Sequence, residues 1–166
     1  MSATVTVKTL ITALQAGDMA FAADYMADDF FVSGFAHMPL NKTEFLAVQS
    51  ELCAAMPDFS YNFSNDQHQH DEVQALIQIT GTQTNDLNLP MFGIPVIPAT
   101  GLAISLPQVH VAFRVEDKEV TEMRMETIAG GGLAGLLQQV GSELPVLPRL
   151  GNQDITRLNE SGDTAI

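Results

Sequence analysis

Apolar side chains recur at helical spacing in three places near the start of the chain. Val7, Leu10, Ile11 and Leu14 line one helical face. Gly17 then offers a left-handed C-cap and Asp18 an N-cap for a second helix carrying Phe21, Tyr25 and Met26. A third helix opens at Asn41, with Glu44 three residues on as in a capping box. Its stripe is Phe45, Val48, Leu52, Cys53 and Met56, and Pro57 stops it. Between the second and third helices, Asp29–Phe35 reads as a short strand rich in phenylalanine. After Pro57 the period drops to two. Phe59, Tyr61 and Phe63 alternate with Ser60, Asn62 and Ser64 as in a half-buried strand, and the polar run Asn65–Glu72 reads as a turn. Val73, Ala75, Ile77 and Ile79 then form the returning strand.

The two segments Ser105–Glu116 and Val120–Ile128 sort their side chains most sharply. Alternation places Val109, Val111, Phe113, Val115, Met123 and Met125 on one face. Gln108, His110, Arg114, Glu122, Arg124 and Glu126 fall on the other, and Glu116–Glu119 is the turn between the strands. A sheet with one apolar face must cover it, and here the covered face carries neither carboxylate nor imidazole. Leu87–Leu106, with Pro90, Pro95 and Pro98 among apolar residues, is a long loop too proline-rich for a central strand. Leu133, Leu136, Leu137 and Val140 make a last short helix ended by Gly141. The expected fold is α+β: a cone-shaped curved antiparallel sheet packed on three N-terminal helices plus a short C-terminal helix. Residues 1–144 form its single domain, and 145–166 a tail that drapes over the surface or is partly disordered.

Composition narrows the function more than it names it. The chain is 46% hydrophobic and 16% charged, with 20 acidic and 7 basic side chains and a net charge of −13. That balance argues against nucleic acid and anionic membrane surfaces as partners. Cys53 is the single cysteine, so no internal disulfide forms and nothing calls for an oxidising compartment. No cationic leader or long apolar run appears at the start, and a cytoplasmic protein is the default expectation.

The order of elements and several local stretches carry a family likeness. They are Ala16–Gly17–Asp18, Met26–Ala27–Asp28–Asp29–Phe30, the Asn41–Met56 helix before Pro57–Asp58–Phe59, and Phe113–Arg114–Val115–Glu116–Asp117 before Val120–Thr121–Glu122. Over roughly residues 3–141 the chain resembles the nuclear transport factor 2-like superfamily, and within it the SnoaL-like group that includes polyketide cyclases. The resemblance implies a cone fold, a pocket between sheet and helices, and often a homodimer built on the outer sheet face. It also implies, for cyclases, an acid–base aspartate on the last strand. Aligning on Val120–Thr121–Glu122 puts Met123 and Met125 at the functional positions, so the carboxylate is absent; a shift by one brings Arg124 or Glu126 there instead.

On these grounds the expected pocket is lined by Tyr25, Phe45, Met56, Tyr61, Met91, Val111, Phe113, Met123 and Met125, and holds a small apolar molecule. The expected dimer face uses Gln74, Gln78, His110, Arg114 and Arg124. The alternative is a cofactor-free cyclase, isomerase or hydratase with Glu126 or His37 as base and Tyr61 steadying an enolate oxygen. A third reading is a dimeric structural module whose cavity is filled by its own side chains. No cofactor and no metal site is expected: His68 and His70 lie in a polar segment with no third ligand fixed by spacing. Gly130, Gly132 and Gly135 spell G-x-G-x-x-G, but no βαβ unit surrounds them, so they read as glycines turning the chain into the last helix.

Overall fold

The computed structural model describes residues 2–142; the expected tail, 145–166, lies outside the described residues. Helix α1 (Ala3–Ala16) is capped by the Ser2 hydroxyl, which accepts from the Val5 N–H, and ends on Gly17 in the left-handed conformation. It buries Val7, Leu10, Ile11 and Leu14, the face that the spacing predicts. Helix α2 (Met19–Ala23) starts from the Asp18 cap but spans little more than one turn. Tyr25 lies beyond it and Met26 already opens strand β1 (Met26–Ser33), which starts earlier than the expected Asp29. After the short edge strand β2 (Leu40–Asn41), helix α3 (Lys42–Ala55) carries the full capping box. Asn41 Oδ1 accepts from the Glu44 N–H and Glu44 Oε1 from the Asn41 N–H, each at 2.9 Å.

The segment after Pro57 differs from expectation. Phe59 and Tyr61 are buried, yet they enter the core from irregular chain, held to the sheet by the Ser60–Thr80 bridge. Asn62, at φ 46°, breaks the extended run. The ladder strand is the polar stretch β3 (Ser64–Gln69), so the expected turn shrinks to His70–Asp71. β3 is an edge strand whose residues are mostly exposed, and such a strand needs no apolar alternation. It pairs with β4 (Glu72–Ile77). The chain then steps over to β5 (Thr80–Thr82), which pairs with β6 (Ala103–Ser105) in a small second sheet. The long loop thus contributes a strand and a 3-10 turn at Pro90–Phe92. Strands β7 (Val109–Glu116) and β8 (Glu119–Met125) follow, and α4 (Gly132–Gln139) closes the described chain.

The main sheet runs β2-β1-β8-β7-β4-β3. It is antiparallel except that β1 lies parallel to β8, with Phe31 opposite Glu122 and Ser33 opposite Arg124. Helices α1 and α3 pack across its inner face, and one continuous core forms between them. The glycine triplet has a packing reason. A Cβ on Gly135 would land on the Gly130 backbone, and one on Gly132 would lie 2.8 Å from the Phe35 carbonyl oxygen. Those glycines let the turn into α4 pack tightly, and the parallel strand that a dinucleotide site needs does not follow among the described residues.

Candidate functional site

Register fixes what each face of the sheet presents. Val73, Ala75, Ile77, Val111, Phe113, Met123 and Met125 point inward and are buried. With Phe45, Met56 and Tyr61 they belong to a single packed cluster, so seven of the expected pocket residues are brought together. Two are not. Met91, on the 3-10 turn, is 43% exposed and faces away from the interior. Tyr25, half-buried beyond α2 with its ring edge-on to Phe21, packs against the rim of that cluster without being one of its buried members. A crevice between Ile77, Val109, Met125 and the start of α4 measures about 10 Å³, about the size of one water.

Tyr61 is the one ionisable expected pocket residue in that interior, and it is already committed. Its hydroxyl donates to Gln49 Oε1 at 2.5 Å, and Gln49 Nε2 donates to the Leu14 carbonyl at 3.2 Å. Cys53, half-buried beside them, also donates to the Leu14 carbonyl, and burial pushes its thiol pKa up. Burial likewise drives the Tyr61 phenol far above its ordinary range. A hydroxyl held this way has no free proton to offer an enolate, which corrects the oxyanion role expected for Tyr61.

The chemistry-bearing side chains of β4, β7 and β8 all face outward. Ala112 lies between Gln74 and Arg124 across the ladder, Arg114 between Glu72 and Glu122, and His110 beside Leu76 and Glu126. Because Ala112 is small, the middle of this face is hollow. A groove of about 830 Å³ opens there, walled by Gln67, Gln74, His110, Arg124 and Glu126. Arg124 grips Glu72 with both amino groups, at 2.7 and 3.1 Å, and approaches Glu122 at 3.5 Å. Arg114 lies 3.6 Å from both carboxylates. Of the expected dimer residues, Gln74, His110, Arg114 and Arg124 share this face. Gln78 does not: its amide is spent on Ser105 and the Leu106 carbonyl, tying the step between the two sheets.

Glu126 stands on the outer face, not in the interior. Its Oε1 accepts the His110 N–H at 3.0 Å and sits 3.2 Å from His110 Nδ1, and these bonds hold its pKa below the usual carboxylate range. His37 is exposed in the loop after β1, its ring 6.3 Å from that of Phe92. The two alternative bases thus lie apart, Glu126 on the outer sheet face and His37 in an exposed loop, and the imidazole beside Glu126 is that of His110. His68 sits on β3 and His70 at the tight turn, and no group of three or more potential metal ligands converges among the described residues. Sequence periodicity does not show the groove because it arises from neighbours on five strands; a lone alanine between Val111 and Phe113 is its sole trace.

The salt-bridge lattice predicts an acid limit. Hydrogen bonding from Arg124 lowers the Glu72 pKa in the folded protein, so this carboxylate stabilises the fold above the unfolded value near pH 4.3 and loses that contribution as pH falls through the lower folded value. The contribution of Glu72 to the urea midpoint should thus be flat from pH 7 to 5 and drop below about pH 4. In Glu72→Gln the part of that drop due to Glu72 should vanish; an unchanged acid limb would remove Glu72 from its cause.

No helix among the described residues is long and apolar enough to cross a membrane. No curated protein matches the chain in sequence. Among solved structures, a candidate SnoaL-like polyketide cyclase from Jannaschia sp. CCS1 superposes with a TM-score of 0.59 at 18% identity, over 74% of this chain and 83% of that one. IdmH, a candidate polyketide cyclase from Streptomyces antibioticus, gives 0.57 at 20% identity, over 74% and 89%. A protein with a ketosteroid isomerase-like fold from Catenulispora acidiphila DSM 44928, solved with trimethylamine, gives 0.58 at 11%, over 82% and 92%. At these identities the superpositions establish the nuclear transport factor 2-like fold. The model of the SnoaL-like domain matches residues 7–123, most of the described chain, and the protein belongs to that family.

Proposed function

We propose that the protein is a SnoaL-like binding module without acid–base chemistry in its cone, pairing as a homodimer through the outer sheet face and with an apolar interior that repacks to admit a small, largely apolar molecule. The observation that carries this reading is the complete segregation of the three central strands: the ionisable side chains face out and the inner face is apolar. A proton-transfer reaction needs a titratable group within reach of its substrate, and the inward-facing residues of these strands include none. The methionines at 56, 123 and 125 are unbranched and adapt to varied apolar shapes.

Charge supports the dimer. A chain of net charge −13 repels its own copy, and contact is least costly where charges balance. The outer face sets Arg114 and Arg124 against Glu72 and Glu122, and its hollow at Ala112 invites a complementary surface. Light scattering after size exclusion should give a dimer, and a clean monomer at micromolar concentration would sink the pairing. Arg124→Glu leaves three carboxylates together and should raise the dimer dissociation constant about 100-fold or more.

A second reading, a cofactor-free cyclase, isomerase or hydratase, draws on His110 and Glu126. A carboxylate that fixes an imidazole through Nδ1 leaves Nε2 free to take a proton. It requires a pH-dependent turnover that disappears in His110→Gln and survives His37→Ala.

A further inference from the structure

The segment between β5 and β6 is built as a separate piece. From Leu87 to Leu102 it contains no Asp, Glu, Lys, Arg or His, in a chain otherwise rich in carboxylates. Leu87, Leu89 and Ile97 are buried beneath it, while Met91 and Val96 stand exposed above, 43% and 49%. The piece closes on itself: Leu87 and Ile97 exchange both backbone hydrogen bonds at 2.9 Å, and Asp86 Oδ1 accepts from the Ala99 N–H at 3.0 Å. Its base is fixed, since Asn85 bonds the Ala54 and Ala55 carbonyls at the end of α3.

One residue fastens the far side. Gln83 is fully buried, and its carboxamide donates to the Ile97 and Pro98 carbonyls at 3.3 and 3.2 Å while accepting the Thr100 hydroxyl at 2.6 Å. Its own backbone donates to Leu102 at 2.9 Å and accepts from the Gly101 N–H at 2.8 Å. Gly101, at φ 71° with open space where a Cβ would stand, is a natural pivot. We infer that Asp86–Gly101 is a lid, turning as one unit between Asn85 and Gly101 and latched by the Gln83 carboxamide, that admits a small uncharged apolar molecule to the interior. The inference rests on reading the cone as a site for such a molecule. Opening the lid bares Leu87, Leu89 and Ile97 to water, and an apolar molecule entering beneath offsets that cost by covering the same surface. A charged ligand would meet an uncharged passage and give up its hydration unpaid.

The test compares Gln83→Met, which keeps the side-chain length and removes the three carboxamide bonds, with the parent in amide hydrogen exchange and in binding of the neutral fluorophore Nile red. The Gly101 amide should exchange about tenfold faster or more. Leu87 and Ile97, which protect each other within the lid, should stay slow, as should Gly81 and Ile104 in the small sheet. Nile red should bind faster by a similar factor. Thr100→Val, at an exposed position, removes one of the three latch bonds together with the bond from the Leu102 N–H to the Thr100 hydroxyl, and should move both readouts the same way by less; it serves if Gln83→Met fails to fold. Equal acceleration at Gly101, Gly81 and Ile104 would make Gln83 a general strut and overturn the lid, as would an unchanged Gly101 amide. Nile red bound at equal rates by both proteins overturns the latch as a gate. Nile red bound by neither overturns the cone as a ligand site, whatever the amides do.

Discussion

Met123→Asp is expected to cost the fold more than about 4 kcal/mol at neutral pH, whereas Ala112→Asp should cost less than about 1.5 kcal/mol. The two positions lie on neighbouring strands but on opposite faces. Met123 is wholly buried opposite Phe113, with the apolar core on every side. An aspartate there loses its hydration and finds no partner, so its pKa rises well above the unfolded value. The sign then reverses that of Glu72: the penalty is largest above the raised folded value and shrinks as pH falls towards 4. The deficit of Met123→Asp in urea unfolding should therefore narrow between pH 7 and 4, while the Ala112 variant, with Arg124 across the ladder, shows no such narrowing. Comparable costs at both sites would undo the two-faced reading of the sheet on which the proposed function stands.

Gly34→Ala should be nearly as damaging, at about 3–5 kcal/mol. Gly34 follows β1 at φ 83°, which alone costs an L residue about 1–2 kcal/mol. A Cβ would also land on the Met125 carbonyl oxygen and lie 3.3 Å from the Met125 Cβ, so the ends of β1 and β8 would have to part. Gly93→Ala separates the two effects. At φ 68° with nothing within 4 Å of its Cβ, Gly93 should show the conformational cost alone. Equal urea midpoints for the two variants would mean that no close approach exists at Gly34.

Much of this architecture is written locally. The caps at Asp18 and Asn41, the stripes of α1 and α3, and the alternation of β7 and β8 each depend on side chains a few residues apart, and local sequence reads them directly. Misreadings arose where local pattern and tertiary pairing part company. Phe59, Tyr61 and Phe63 alternate like a strand because Phe59 and Tyr61 are buried, although their backbone makes no continuous ladder. Ser64–Gln69 looks like a turn because an edge strand exposed on both faces has no apolar demand to satisfy. Ala103–Ser105 hides in a proline-rich run since its partner, Thr80–Thr82, lies far back in the chain. Of the candidate site, the inner lining was legible from alternation. The hollow at Ala112, the tie between His110 and Glu126, and the Gln49 bond that silences Tyr61 all join residues from different elements, which no single window of sequence contains.

The parallel seam between β1 and β8 bears on how the molecule comes to exist. Phe31 meets Glu122 roughly ninety positions later, so joining them must close more than half of the chain into a loop before any reward is collected. The hairpins β3–β4 and β7–β8 carry no such debt and can form early. On a ribosome, β1 emerges first yet waits longest, its edge towards β8 without its final partner until residue 125 has cleared the tunnel. Synthesis rate and chaperone supply should therefore govern the soluble yield of this protein more strongly than its final stability does.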